Sequence, residues 1–301
     1  MTAAVAVVVN VADPSQQPGD GAVGLARPSA PAGFRYESGQ LNEGPLRLRR
    51  VSFATADGRA TGMLAVPPGR RAPMPAVVYL HGLGGDSADF APEAIFAAAK
   101  GVVALSLDSA DVGAPPLPEI GIGPIAEDAR RRAATIERVR AGVAAIAARR
   151  DVDAERIAFV GFSRGAAVGA LAAARIDGLA AEVYVSGAAG RATWPHAFDR
   201  LGSADRDRAQ QLIARFDPAR ALASTPARPR LVQYGTADEV VPRQALRAFA
   251  AALPQPKRVT VVSAGRHALG VAELYARLQW LDRELRVAGP PVQGAPVLRR
   301  R

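Results

Sequence analysis

Cysteine is absent from this 301-residue chain, which removes disulfides, thiolate catalysis and cysteine-ligated metals. Histidine is scarce: His81, His196 and His267 are the whole supply of imidazole, so a histidine base has to be one of three residues. No run approaches the roughly 20 apolar residues of a membrane-spanning helix, so no membrane span is expected. The apolar opening at 1–12 lacks a basic start and is short for a secretory core, which favours a cytoplasmic protein over an exported one. The net charge is +10, yet the arginines are spread along the chain and mostly interleave with Asp and Glu. Without a basic stripe carrying aromatics, nucleic acid is not an expected partner, and the charge reads as serving solubility.

What is present suits one large α/β domain. Hydrophobic residues make up 49% of the chain, enough for a sizeable core. Residues 1–45 read as a mobile arm, rich in Pro, Gly, Ser and Ala over 13–45, and 288–301 as a disordered tail. Between them, 46–56 and 60–66 form two strands joined by the Asp57-Gly58 turn. Further strands are expected at 76–80, 102–107, 156–162, 181–186, 230–234 and 258–263. Helices are expected at 87–100, 125–150, 165–175 and 243–253. In the second of these Ile136, Val139, Val143 and Ile146 recur at helical spacing, and Val271, Leu274, Leu278, Leu281 and Leu285 mark a final helix. This alternation predicts a mostly parallel sheet of about eight strands with helices on both faces. The connection 108–123 reads as an irregular loop where a ligand could sit. The interval 187–229 is longer than a crossover needs, holds a short helix around 206–215, and reads as a small lid insertion.

The pentapeptide Gly161-Phe162-Ser163-Arg164-Gly165 organises the rest. An apolar β-branched run precedes it and an Ala-rich run follows, so the serine sits at a sharp strand-to-helix turn. Such a turn strains the serine backbone and crowds the residues two positions either side, which is what Gly161 and Gly165 relieve. The hydroxyl then stands clear, with unpaired N–H groups of the helix start beside it.

Serine is a poor nucleophile at neutral pH and needs a base such as histidine. His267 follows the last expected strand and is the candidate. The imidazolium formed during attack needs a carboxylate partner; Asp238, in the loop one strand earlier, fits best, with Glu239 and Asp217 as the competing acids. Glu239 is expected to point elsewhere from an extended loop. The oxyanion needs preorganised donors, for which the N–H groups of Leu83, in His81-Gly82-Leu83-Gly84-Gly85, and of Arg164 are the candidates. His81 reads as a buried ring bonded to nearby backbone. Trp194, Phe198 and Phe216 either wall a substrate pocket or pack the insertion onto the core, and His196 reads as lid surface.

The loop HGLGG, the run DVDAERIAFVGFSRGA, the segment YGTADEVVP and the late AGRHAL together resemble α/β-hydrolase-fold serine hydrolases, in the group of dienelactone hydrolases, acetyl esterases and prolyl-oligopeptidase-like peptidases. The resemblance covers about residues 46–287 and keeps the order Ser, Asp, His. A dienelactone hydrolase would carry cysteine at position 163, and an oligopeptidase a large propeller, and this chain has neither. The resemblance implies cofactor-independent and metal-free cleavage of a small-molecule carboxylic ester, of small to medium size, through an acyl-serine. A small serine peptidase or amidase would use the same residues, and a catalytically silent binding module is the reading from another class.

Overall fold

A computed structural model describes residues 6–9, 33–43, 46–69, 73–115, 121–189, 201–222 and 225–287. Six strands form its parallel centre: β5 (Met74–Leu80), β6 (Val103–Leu107), β7 (Val152–Phe162), β8 (Leu179–Val185), β9 (Arg230–Gly235) and β10 (Lys257–Val262). At one edge β4 (Gly58–Val66) pairs antiparallel with β6, followed by β3 (Leu46–Thr55) and β2 (Arg35–Glu43). At the other, β1 (Ala6–Val9) pairs antiparallel with β10. The full order is β1-β10-β9-β8-β7-β5-β6-β4-β3-β2.

Eight of these ten strands fall where the alternation of apolar runs and turns places them. The other two lie within 1–45, where no strand is expected. β2, RYESGQLNE, is polar and carries a glycine, and its pairing with β3 shifts register between Tyr36 and Gln40. A strand of that composition at a sheet edge has no apolar alternation to betray it. β1 is a four-residue apolar run, which periodicity alone cannot assign.

The central strands are buried on both sides because their alternate residues face two helical layers. Val78 and Leu80 of β5 and Phe159 of β7 join one core with Ile136, Val139, Val143 and Ile146 of α2 (Ile122–Ala147) and Leu246 and Phe249 of α6 (Arg243–Ala252). α3 (Arg164–Ala173) packs into the same layer through Ala166, Val168 and Leu171. Val77 and Tyr79, with Val160 and Val183, face the opposite layer of α1 (Ala91–Ala99) and α7 (Val271–Glu284), meeting Ala94, Ala98, Trp280 and Leu281. Each fully buried aliphatic side chain of this kind contributes about 1.5–3 kcal/mol. The stripe expected on α7 is buried only from Leu278 onward. Val271 is 66% exposed and Leu274 only partly buried.

The insertion contains α4 (Ser203–Ala214) and the short α5 (Pro218–Ala221). Ala209 and Ile213 of α4 cluster with Leu201 and with Ile125 near the start of α2, so the helix seats on its neighbour through a small core of its own. Phe216 packs partly buried against the main core. Trp194, His196 and Phe198 lie outside the described residues. Among the described residues no helix is long and apolar enough to cross a membrane.

The strand order positions the functional residues. From β5 the chain moves to β6 on one side, and β7 then adds on the other, so the loops leaving β5 and β7 diverge at a switch point at the C-terminal end of the parallel sheet. Crevices of open α/β sheets form there.

Candidate active site

β7 ends at Phe162 and α3 begins at Arg164, leaving Ser163 alone to turn the chain. Its φ of +52° is in the left-handed region, a conformation costing a side-chain-bearing residue roughly 1–2 kcal/mol. Close packing enforces the turn: a Cβ on Gly161 would lie 2.6 Å from the Gly165 carbonyl oxygen, and one on Gly165 would lie 2.3 Å from that of Leu80. The Ser163 N–H donates to the Val185 carbonyl at 2.8 Å, and its own carbonyl accepts from Ala166 and Ala167.

His267 arrives from the loop after β10. That loop turns at Ala264, with φ of +55°, and is tied to the loop after β9 by Ala264 N–H donating to Thr236 Oγ1 and Ala237 N–H donating to the Gly265 carbonyl. Nε2 of His267 lies 2.9 Å from Ser163 Oγ, and Nδ1 lies 2.8 Å from Asp238 Oδ2. The other carboxylate oxygen of Asp238 accepts from the N–H groups of Val240 and Val241 at 2.9 and 2.8 Å, which fixes the carboxylate in its loop. The Asp238 side chain is 1% exposed and that of His267 12%. Phe162 packs its ring on the imidazole, centroids 5.1 Å apart.

The structure therefore brings Ser163, His267 and Asp238 into one hydrogen-bonded chain. Asp217 is used elsewhere: it caps α5, accepting from Ala219 N–H at 3.0 Å. Glu239 does come to the site, against the expectation for an extended loop. The two amides captured by Asp238 curl the segment, and Glu239 Oε2 accepts from the His267 backbone N–H at 3.1 Å while Oε1 accepts from Arg266. Hydrogen bonds from the backbone and from Arg266 hold its carboxyl below the ordinary glutamate range.

The HGLGG loop runs against the elbow: a Cβ on Gly82 would lie 3.3 Å from Ser163 Cβ. The N–H groups of Leu83 and Arg164 carry no hydrogen bond to another described residue, while the Leu83 side chain is 68% exposed. His81 is buried; it donates from Nδ1 to the Gly82 carbonyl and accepts at Nε2 from Ser109 N–H. Since Nε2 accepts, the proton of this ring is on Nδ1.

One part of the site had no signal in the sequence. The Arg164 side chain reaches Asp111, in the loop after β6, and Asp128 of α2, Nη2 to Oδ1 at 2.6 Å. Arg132 also holds Asp128, at 2.7 Å, and burial together with the nearby Arg164 charge lowers Arg132 to about 10. That same loop is pinned by Asp108, which accepts from Ser87 N–H and Thr61 Oγ1. Among the described residues no group of three or more His, Asp and Glu is placed to hold a metal ion.

No family model and no curated protein matches the chain. Solved structures do. An acetyl xylan esterase from Paenibacillus sp. R4 superposes with a TM-score of 0.70 at 20% identity, over 83% of this chain and 88% of that one. Acetyl xylan esterase 1 from Thermoanaerobacterium sp. JW/SL YS485 gives 0.70 at 16%, over 85% and 88%. The α/β hydrolase GrgF from Penicillium sp. sh18 gives 0.59 at 18%, over 79% and 98%. At such identities the likeness speaks for architecture, and on strand order, elbow and superposition alike the chain has the α/β-hydrolase fold.

Proposed function

We propose that this protein is a cofactor-independent serine esterase that cleaves carboxylic esters of small to medium size through an acyl-serine intermediate. The observation that carries the reading is the continuous chain from Ser163 Oγ through both nitrogens of His267 to a buried Asp238. In it His267 Nε2 removes the serine proton as Oγ attacks the ester carbonyl, and Asp238 holds the Nδ1–H tautomer and offsets the imidazolium charge. The main-chain N–H groups of Leu83 and Arg164 receive the oxyanion, each donor being worth about 3 kcal/mol by removal. His267 then protonates the departing alcohol. Water, deprotonated by the same nitrogen, releases the acid and restores Ser163.

Ester rather than amide cleavage is favoured because two neighbours named as acetyl xylan esterases match over most of both chains. The size class rests on the shortness of the 187–229 interval. A panel of p-nitrophenyl esters of increasing acyl length, beside aminoacyl p-nitroanilides and a fluorophosphonate probe, tests the reading. Turnover of the short esters and a probe adduct on Ser163 are expected. Faster anilide cleavage would make the protein a peptidase, and an unlabelled, inactive but folded protein would make it a binding module.

A further inference from the structure

Ser186 is the first residue past β8, and its φ of +51° puts it in the left-handed region that glycine enters freely and serine does not. It is completely buried. A serine hydroxyl at such a position commonly bonds to backbone a few residues away. Here Oγ–H instead donates to the backbone carbonyl of His267 at 2.8 Å, 81 residues further along the chain. The Ser186 N–H donates to the Gln233 carbonyl, which fixes the strand end against β9. The preceding residue, Val185, is the one whose carbonyl accepts the Ser163 N–H. Two consecutive residues at one strand end therefore grip the backbone of Ser163 and of His267.

The histidine is held from both sides. Its N–H is bonded to the exposed Glu239 and its carbonyl to the buried Ser186, so neither end of the residue is left to drift. Proton transfer depends steeply on the placement of Nε2 against Oγ, and the ring can be placed no better than the backbone that carries it. We propose that Ser186 is a positioning residue for His267, its hydroxyl setting the height of the imidazole over Ser163. This rests on the serine-esterase reading.

The test replaces Ser186 in the full chain by Gly, Ala and Cys and follows three readouts on the best short ester. Ser186→Gly removes the hydroxyl while relaxing the backbone. It should lower kcat by roughly ten- to a hundredfold with KM within about twofold, since the loss falls on the chemical step. Inactivation by the fluorophosphonate should slow in step, and the low-field proton resonance of the His267 Nδ1–H should shift or broaden. Ser186→Ala should match it in rate but be less stable, because alanine keeps the unfavourable φ. Ser186→Cys, similar in size with a weaker donor, should fall between wild type and Gly. A Gly variant that turns over, labels and resonates as wild type does would overturn the inference, as would a change in stability alone. The parent reading fails separately, if the wild-type protein does not label at Ser163.

Discussion

Arg164 and Asp111 form a two-point ion pair between the elbow helix and the loop after β6, Nε to Oδ2 at 2.9 Å and Nη2 to Oδ1 at 3.3 Å. Their side chains are only 12% and 11% exposed, and Asp128 adds a second carboxylate from α2. The residue beside Ser163 thus braces three segments at once.

Removing that brace takes one cation from two mostly buried carboxylates, leaving Arg132 beside Asp128 at 2.7 Å and Arg131 at 4.0 Å from Asp111. Arg164→Met should destabilise the protein by about 1–3 kcal/mol in urea unfolding, less than the roughly 3–5 of a pair left with no other cation, because Arg131 and Arg132 remain. The folded fraction should keep measurable activity, because the Arg164 N–H is main chain. A change within about 0.5 kcal/mol would show that Arg131 and Arg132 neutralise the cluster without Arg164.

Ser163→Ala should leave the melting temperature within a few degrees of wild type and abolish both ester turnover and probe labelling. Retained turnover by the folded variant would move the nucleophile elsewhere.

Asp238→Asn should lower kcat by several orders of magnitude, on the order of 10⁴, since an amide favours the wrong histidine tautomer. Asp217→Asn should do far less, its carboxylate being the cap of α5. Parallel kcat measurements on the two variants decide between them, and equal losses would refute the assignment.

Gly165→Ala should be among the most damaging substitutions of its size. The added methyl would lie 2.3 Å from the Leu80 carbonyl and 2.4 Å from that of His81, both main chain and unable to step aside cheaply. Poor soluble yield or lost labelling is expected. Wild-type activity would mean that the elbow can open without consequence.

Acid should loosen the same region. Burial works to raise Asp108 and Asp128, but hydrogen bonds from Thr61 and Ser87 to the first, and Arg132 and Arg164 beside the second, outweigh it and hold both below the ordinary value of 3.8. A carboxyl depressed in the folded state contributes stability that is complete above its unfolded pKa and lost as pH falls through the folded one. Unfolding free energy should therefore decline below about pH 4, and Asp108→Asn should flatten that decline. Urea titrations from pH 3 to 7 read the slope, and identical acid limbs would exclude Asp108 as a contributor.

The central strands were legible because parallel strands buried on both faces read as short β-branched runs between turns, AVVYL and RLVQY among them. The positions of Ser163, Asp238 and His267 were legible for a related reason: each lies in the loop that leaves the C-terminal end of such a strand, and those loops gather at one edge of a parallel sheet. Glu239, Ser186 and the side chain of Arg164 were not. Glu239 reaches His267 only because Asp238 curls the loop between them. Ser186 and Arg164 find partners 81 and 53 residues away, and no local pattern encodes a contact that depends on where two loops happen to cross. β2 was missed because an edge strand needs no apolar face.

The separation of 104 residues between Ser163 and His267 also sets a timetable. The ribosome delivers the chain in order, so the elbow and its strand are made before Asp238 and His267, the residues that line up with the serine. If Ser163 is the proposed nucleophile, then until β10 has docked and its loop has turned at Ala264 its hydroxyl is an ordinary alcohol, as inert as that of any other serine. On the proposed reading, reactivity is thereby deferred until the last parallel strand has joined the sheet.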